Sequence, residues 1–187
     1  MASPDIGACV SAGIKGLRND PVTHIVSTLL VAIIAHVSFG VLAGPMIVGY
    51  MRLVMIEEQG GKASIGDVFK GFDDFVPALL AVLVAGIVVG AGFVLCIIPG
   101  VLIMALVPTA AYLVAVGDKD GINALKRAWG MVRENLVGSS LCALVLAIIG
   151  SLGAILCGVG IVITMPIALI GMYHMAKQLA GSAPASV

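Results

Sequence analysis

Charged side chains are scarce in this sequence. Asp, Glu, Lys and Arg make up 11% of its 187 residues, against about 25% in a soluble domain. None lies between Asp20 and Arg52, between Asp74 and Asp118, or between Glu134 and Lys177, and these gaps cover well over half the chain. A water-soluble fold of this size could not cover its surface from such a supply. An excess of either sign is absent too: ten basic and ten acidic residues cancel, which leaves no cationic surface suited to nucleic acid. The four cysteines, Cys9, Cys96, Cys142 and Cys157, sit among apolar residues without C-x-x-C spacing, a pattern of buried thiols rather than of disulfides or a zinc site. The first residues, Met1-Ala2-Ser3-Pro4-Asp5, lack the basic and apolar regions of a cleaved signal peptide, so the first residue is expected to be retained. Also missing are a Ser, His and Asp set, paired carboxylates within an apolar stretch, and a phosphate-binding glycine loop. His24 and His36 stand 12 positions apart, about 120° around a helix, with no third ligand in view. No enzyme activity, cofactor or metal is therefore expected.

Apolar sequence is what remains, with a mean hydropathy of +1.17. Each charge-free stretch is too long for one membrane span, since about 20 helical residues cross the hydrocarbon core. Stretch 75–117 would be about 65 Å long as a single helix, and Ile97-Ile98-Pro99-Gly100 interrupts it. Splitting there gives arms 75–98 and 99–117. Stretch 136–177 breaks at Gly158-Val159-Gly160, and 22–58 breaks at Gly44-Pro45 into 22–43 and a shorter arm. Proline removes an N–H and glycine permits left-handed backbone, so Gly44, Pro45, Pro99, Gly100, Gly158 and Gly160 are expected to mark three hairpin turns.

A short amphipathic segment precedes each hairpin. In 120–136 the apolar stripe is Ile122, Leu125, Trp129, Val132 and Leu136, with Asp120 as N-cap. In 64–76 it is Ile65, Phe69, Phe72 and Val76, after the capping-box pattern Ser64-x-x-Asp67. At the start Ser3-Pro4 offers an N-cap, followed by Ile6, Val10, Ile14 and Leu17. The expected fold is therefore all-α, a polytopic membrane bundle of six spans in one domain, as three hairpins each preceded by an amphipathic helix that lies in the interface. It is built from three pseudo-repeats, 1–59, 60–119 and 120–180, with a flexible tail over 181–187. All ten Lys and Arg flank the hairpins, and the turns carry none. Basic loops resist translocation, so both termini are expected in the cytoplasm of a cell whose inner membrane holds the protein. Five spans, with 22–58 as one kinked helix, is the alternative; it would place Lys15 and Arg18 outside.

Several of these residues also carry a likeness to a known group. They are Gly44-Pro45 with Gly49-Tyr50, Asp67-Val68-Phe69-Lys70-Gly71-Phe72, and Ile97-Ile98-Pro99-Gly100. Ala124-Leu125-Lys126-Arg127-Ala128-Trp129 with Asn135 follows, then Gly158-x-Gly160, Thr164-x-Pro166 and Tyr173. From about residue 6 to 179 the chain resembles a bacterial family of uncharacterised small integral membrane proteins, related to the membrane domain fused to some glycerophosphoryl diester phosphodiesterases. Ala128 departs from that pattern, where Ser is frequent. The resemblance implies an integral membrane protein without an assigned activity, and no catalytic domain or set of metal-binding carboxylates accompanies it.

Arg52 is the charge placed deepest, seven residues past Pro45. It fits either an anion or headgroup site between helices or a side chain snorkelling toward headgroups near Glu57 and Glu58. Lys126, Arg127, Trp129 and Arg133 make a basic amphipathic face suited to anionic lipid or a partner. His174 beside Tyr173 suits a span end. The rows Gly40-x-x-x-Gly44, Gly86-x-x-x-Gly90 and Gly150-x-x-x-Ala154-x-x-x-Gly158 are expected to pack the monomer rather than a dimer. The function expected is a non-enzymatic scaffold or accessory subunit. Its contacts would be membrane lipids and a membrane-protein partner or second copy. The alternative is a small-molecule or lipid transporter of parallel hairpin repeats.

Overall fold

The computed structural model describes residues 3–155 and 160–182, and all regular structure among them is helical. The elements are α1 (Ile6–Asn19), α2 (Pro21–Val37), α3 (Ala43–Glu58), a 3-10 segment (Ile65–Asp74), α4 (Phe75–Leu95), α5 (Ile97–Ile103), α6 (Leu106–Val116), α7 (Gly121–Glu134), α8 (Leu136–Ile155) and α9 (Ile161–Ser182). Two elements, Ile65–Leu95 and Ile97–Val116, are long and apolar enough to cross a membrane. The count rises to four if the bent pairs α1–α2 and α7–α8 each form one span.

Acidic side chains set the element starts. Asp5, not Ser3, caps α1, accepting the Ala8 N–H at 3.0 Å. Asp20 closes α1 and opens α2, accepting the Thr23 N–H at 3.1 Å just ahead of Pro21. The chain bends by 108° there and by 103° between α7 and α8, so α1 and α7 lie across the helices they precede. Asp120 caps α7 as expected, accepting from Ile122 and Asn123. Ser64 and Asp67 form the expected capping box, although the segment that follows is 3-10 rather than α.

The three sequence units pack cyclically. The second helical arms, α3, α6 and α9, touch one another at the centre, and α3 and α6 are buried along most of their length. Each crossing segment then lies on the unit before it in cyclic order: α1 on α9, the 3-10 segment on α3, and α7 on α6 and α4. The three tyrosines of the chain, Tyr50, Tyr112 and Tyr173, stand one on each central arm, all buried. Tyr112 and Tyr173 meet edge to face, 5.4 Å between ring centres, a favoured aromatic geometry.

Glycine makes the crossings possible. A Cβ on Gly71 would lie 1.8 Å from the Pro45 carbonyl, one on Gly49 1.7 Å from the Val68 carbonyl, and one on Gly13 2.4 Å from the Ile167 carbonyl. Backbone therefore lies on backbone at these crossings, and the amphipathic stripes divide: Val132 is buried and Leu125, Phe72 and Val10 pack on the core, while other members turn outward. In α7 the face against the bundle is Gly121, Ala124, Ala128 and Val132, while Ile122 and Trp129 are exposed; Ile14 of α1 and Phe69 of the 3-10 segment are exposed as well.

The hairpin turns also differ in detail. The first turn is Ser38–Leu42, with Phe39 and Gly40 at positive φ, and not Gly44-Pro45. Pro45 is the third residue of α3, where a missing N–H costs nothing. Gly44 is a packing residue, its Cβ direction meeting the Ala78 carbonyl at 2.6 Å. The second break falls at Cys96, in extended backbone, and Pro99 and Gly100 lie within the short α5. That arm breaks again at Met104-Ala105, the residues whose carbonyls precede Pro108 by three and four positions; proline cannot donate there. Gly160 immediately precedes α9, and Gly158 and Cys157 lie outside the described residues. Cys9 and Cys142 are buried as expected, whereas Cys96 is exposed. Gly150 does pack within the monomer, where an added Cβ would lie 3.1 Å from the Ala168 methyl, but Gly86 and Gly90 face open space. α9 continues to Ser182, past the start of the expected tail at 181, and residues 183–187 lie outside the described residues.

Candidate functional site

Polar contacts join the charged belts of all three units. The Asp5 N–H donates to Gln178 at 2.8 Å, Lys177 pairs with Glu58 at 2.5 Å, and Arg52 pairs with Asp74. The belts therefore meet at one end of the bundle.

At that end α1, α3 and α9 enclose a cleft of about 400 Å³, lined by Lys15 and Asn19, Glu57 and Glu58, and Ile170 and His174. Its size falls in the range of small-molecule sites. Glu57 links it to the interior: its Oε2 lies 2.8 Å from Nε2 of His24, a fully buried ring, and His24 Nδ1 lies 3.0 Å from the hydroxyl of buried Tyr50. A carboxylate only accepts, so His24 Nε2–H donates to Glu57. In the tautomer with its proton on Nε2, Nδ1 accepts the Tyr50 O–H, and the two bonds hold the orientation of the ring. Beside Glu57, Glu58 is saturated by Lys177 and by the Tyr173 hydroxyl at 2.8 Å. Glu57 keeps its second oxygen for the cleft.

Arg52 is committed within the fold. Nε donates to the Ala115 carbonyl at 3.3 Å, one terminal nitrogen to the Lys70 carbonyl at 2.6 Å, and the other to Asp74 and to the Val114 carbonyl. Two of these carbonyls belong to the last turn of α6, where a cation offsets the negative helix end. Its side chain is 15% exposed. The four residues expected on α7 share one helix but divide by face. Arg127 pairs with Asp118 at 2.6 Å, whereas Lys126, Trp129 and Arg133 lie with Ile122 on the exposed side. His174 sits in the cleft wall, 3.9 Å from Glu58.

Two carboxyls at element starts titrate low. The Thr23 hydroxyl and N–H hold Asp20 below the usual range, and the Lys70 ammonium followed by the Ser64 N–H does the same for Asp67. Among the described residues no three His, Cys, Asp or Glu side chains gather to hold a metal ion.

The sequence carried one faint sign of the Glu57–His24–Tyr50 chain. Tyr50 and Glu57 are seven residues apart, two helical turns, and so share a face of α3. Nothing local pairs that face with His24, because the pairing depends on how α2 and α3 pack.

A family model described as "Domain of unknown function (DUF7847)" matches residues 10–187, nearly the whole chain. The chain belongs to the DUF7847 family. No curated protein and no solved structure matches it. The family description carries no activity and no tie to phosphodiesterase-associated membrane domains.

Proposed function

We propose that this DUF7847 protein is a multi-pass integral membrane protein of a bacterial inner membrane, acting as a non-enzymatic scaffold or accessory subunit. Its six helical arms (α2, α3, α4, α5–α6, α8 and α9) cross the bilayer, and both termini are cytoplasmic. The observation that carries this reading is the outer face of α7. Its small residues are used against the bundle, while Ile122, Lys126, Trp129 and Arg133 point away together. Apolar and aromatic side chains alternating with cations suit the headgroup boundary, where anionic lipid or a membrane partner meets them. The bulky residues Leu83, Ile87, Val94, Leu95 and Ile97 are also exposed, on a scale that soluble monomers do not leave uncovered.

Extraction with alkaline carbonate tests insertion, and the chain is expected to stay with the membrane pellet. Purification in mild detergent tests the accessory role. A membrane protein should accompany the wild type and be lost with a Lys126→Glu, Arg133→Glu double variant. Recovery of a lone monomer from native membranes in every condition would count against it. A transporter is the second reading, favoured by the cleft backed by His24 and Tyr50. Proteoliposomes showing flux that Glu57→Gln abolishes would favour it over the first.

A further inference from the structure

We propose that the cleft between α1, α3 and α9 binds a zwitterion of the aminoethyl phosphate type, with a primary ammonium on Glu57 and a phosphate on Lys15. This rests on the reading of the chain as a membrane protein and names a ligand for its charged end. Glu57 and Lys15 line the same cleft, yet the carboxylate is bonded to His24 and not to Lys15. Opposite charges that face one space without meeting leave room for a ligand that carries both.

Polarity within the cleft sets which end goes where. α3 closes at Glu58, so the negative end of its dipole lies beside Glu57 and favours a cation there. His24 Nε2–H occupies Oε2 of Glu57 and Tyr50 orients the ring, which leaves Oε1 to accept ammonium N–H bonds. A primary ammonium can donate them and a quaternary one cannot. Lys15 and Asn19, one helical turn apart on α1, supply donors for the phosphate. Ile170 provides apolar wall for the ethylene carbons. A phospholipid headgroup and free phosphoethanolamine share this chemistry.

The full chain in phosphatidylcholine nanodiscs containing a minority of phosphatidylethanolamine would be analysed by native mass spectrometry for retained lipid. Wild type should hold the ethanolamine lipid about tenfold over the choline lipid, the scale of one charge-assisted hydrogen bond. Glu57→Gln should lose that preference. Lys15→Ala, at an exposed position that folding does not require, should weaken retention of the ethanolamine lipid. Free phosphoethanolamine, added to protein in detergent, separates the sources. Competition and a raised thermal midpoint support the headgroup alone as ligand, and retention of the lipid form only supports a lipid. Equal retention of both lipids with no response to the free compound, or variants that bind like wild type, overturns the proposal. A chain released by carbonate yet still bound by phosphoethanolamine would remove the membrane reading and leave the site standing.

Discussion

Arg52 looks from its position like a charge stranded in an apolar arm, and its surroundings give it four acceptors. Three are carbonyls, of Lys70, Val114 and Ala115, and the fourth is Asp74. Two units of sequence are thus pinned by one planar fork, and a point charge on a flexible stem could not span the same acceptors. Arg52→Ala strips these partners and leaves Asp74 without its cation in a partly buried site. The expected loss is about 2–4 kcal/mol, toward the lower end of what breaking a buried pair costs because the side chain is 15% exposed. Arg52→Lys should recover less than half. Thermal unfolding in detergent measures both, and an unchanged midpoint for Arg52→Ala would show the fork to be idle. Asp67 gives a pH prediction at the same scale. Its carboxyl titrates below its unfolded value of about 4 because Lys70 and the Ser64 N–H favour the ionised form. A depressed folded pKa contributes stability that is complete above the unfolded value and is lost as pH falls through the folded one. Protection against hydrogen exchange over residues 64–71 should therefore fall below about pH 4, and Asp67→Asn should be poorly protected at every pH.

Helical elements here cross by bringing backbone to backbone, which makes single glycines decisive. A methyl at Gly71 or Gly49 would fall inside the van der Waals contact of a carbonyl, at 1.8 and 1.7 Å, and no rotamer relieves it. Gly71→Ala and Gly49→Ala are expected to abolish a monodisperse folded peak in detergent, whereas Gly86→Ala, facing open space, should leave it intact. A normal peak for Gly71→Ala would mean that the 3-10 segment does not lie on α3 as described. The same geometry explains which parts of the fold were legible in the sequence. Asp120 and the Ser64-x-x-Asp67 box mark true element starts because capping is local chemistry. The order of crossing segment, arm, turn and arm follows from charge-free length. Periodicity found the stripe Ile122, Leu125, Trp129 in α7, but its direction depends on the neighbouring surface. Hydropathy assigns bulky residues to a protein core, and here glycine and alanine occupy the packed side. Gly44-Pro45 misled for a related reason: proline is as compatible with the first turn of a helix as with the turn before it. The cleft was the least legible feature, since Lys15, Glu57 and His174 come together only through the cyclic docking of α1 and α3 onto α9.

At the scale of the whole molecule, the cyclic order constrains topology. The belts that hold Asp5, Glu58, Asp74 and Lys177 touch one another across units, so they share one end of the bundle. The turn Ser38–Leu42 and the break at Cys96 lie one helical arm away from those belts. If the arms cross a bilayer, the belts and these two turns must emerge on opposite sides. The chain carries its own reporter, because Cys96 is exposed while Cys9 and Cys142 are buried. In a Cys157→Ser background, a membrane-impermeant maleimide should label Cys96 from the outer face of intact cells. Phe39→Cys, at a position 96% exposed, should label from that same face. Lys62→Cys should react only once the membrane is opened, since basic segments stay cytoplasmic. With 22–58 as a single kinked span, the belts at Lys15 and Lys62 would lie on opposite sides, and position 39 would be buried in lipid and silent. Labelling of Phe39→Cys and Cys96 from one side, with Lys62→Cys from the other, therefore selects the three-hairpin arrangement. Outer labelling of Lys62→Cys would overturn it.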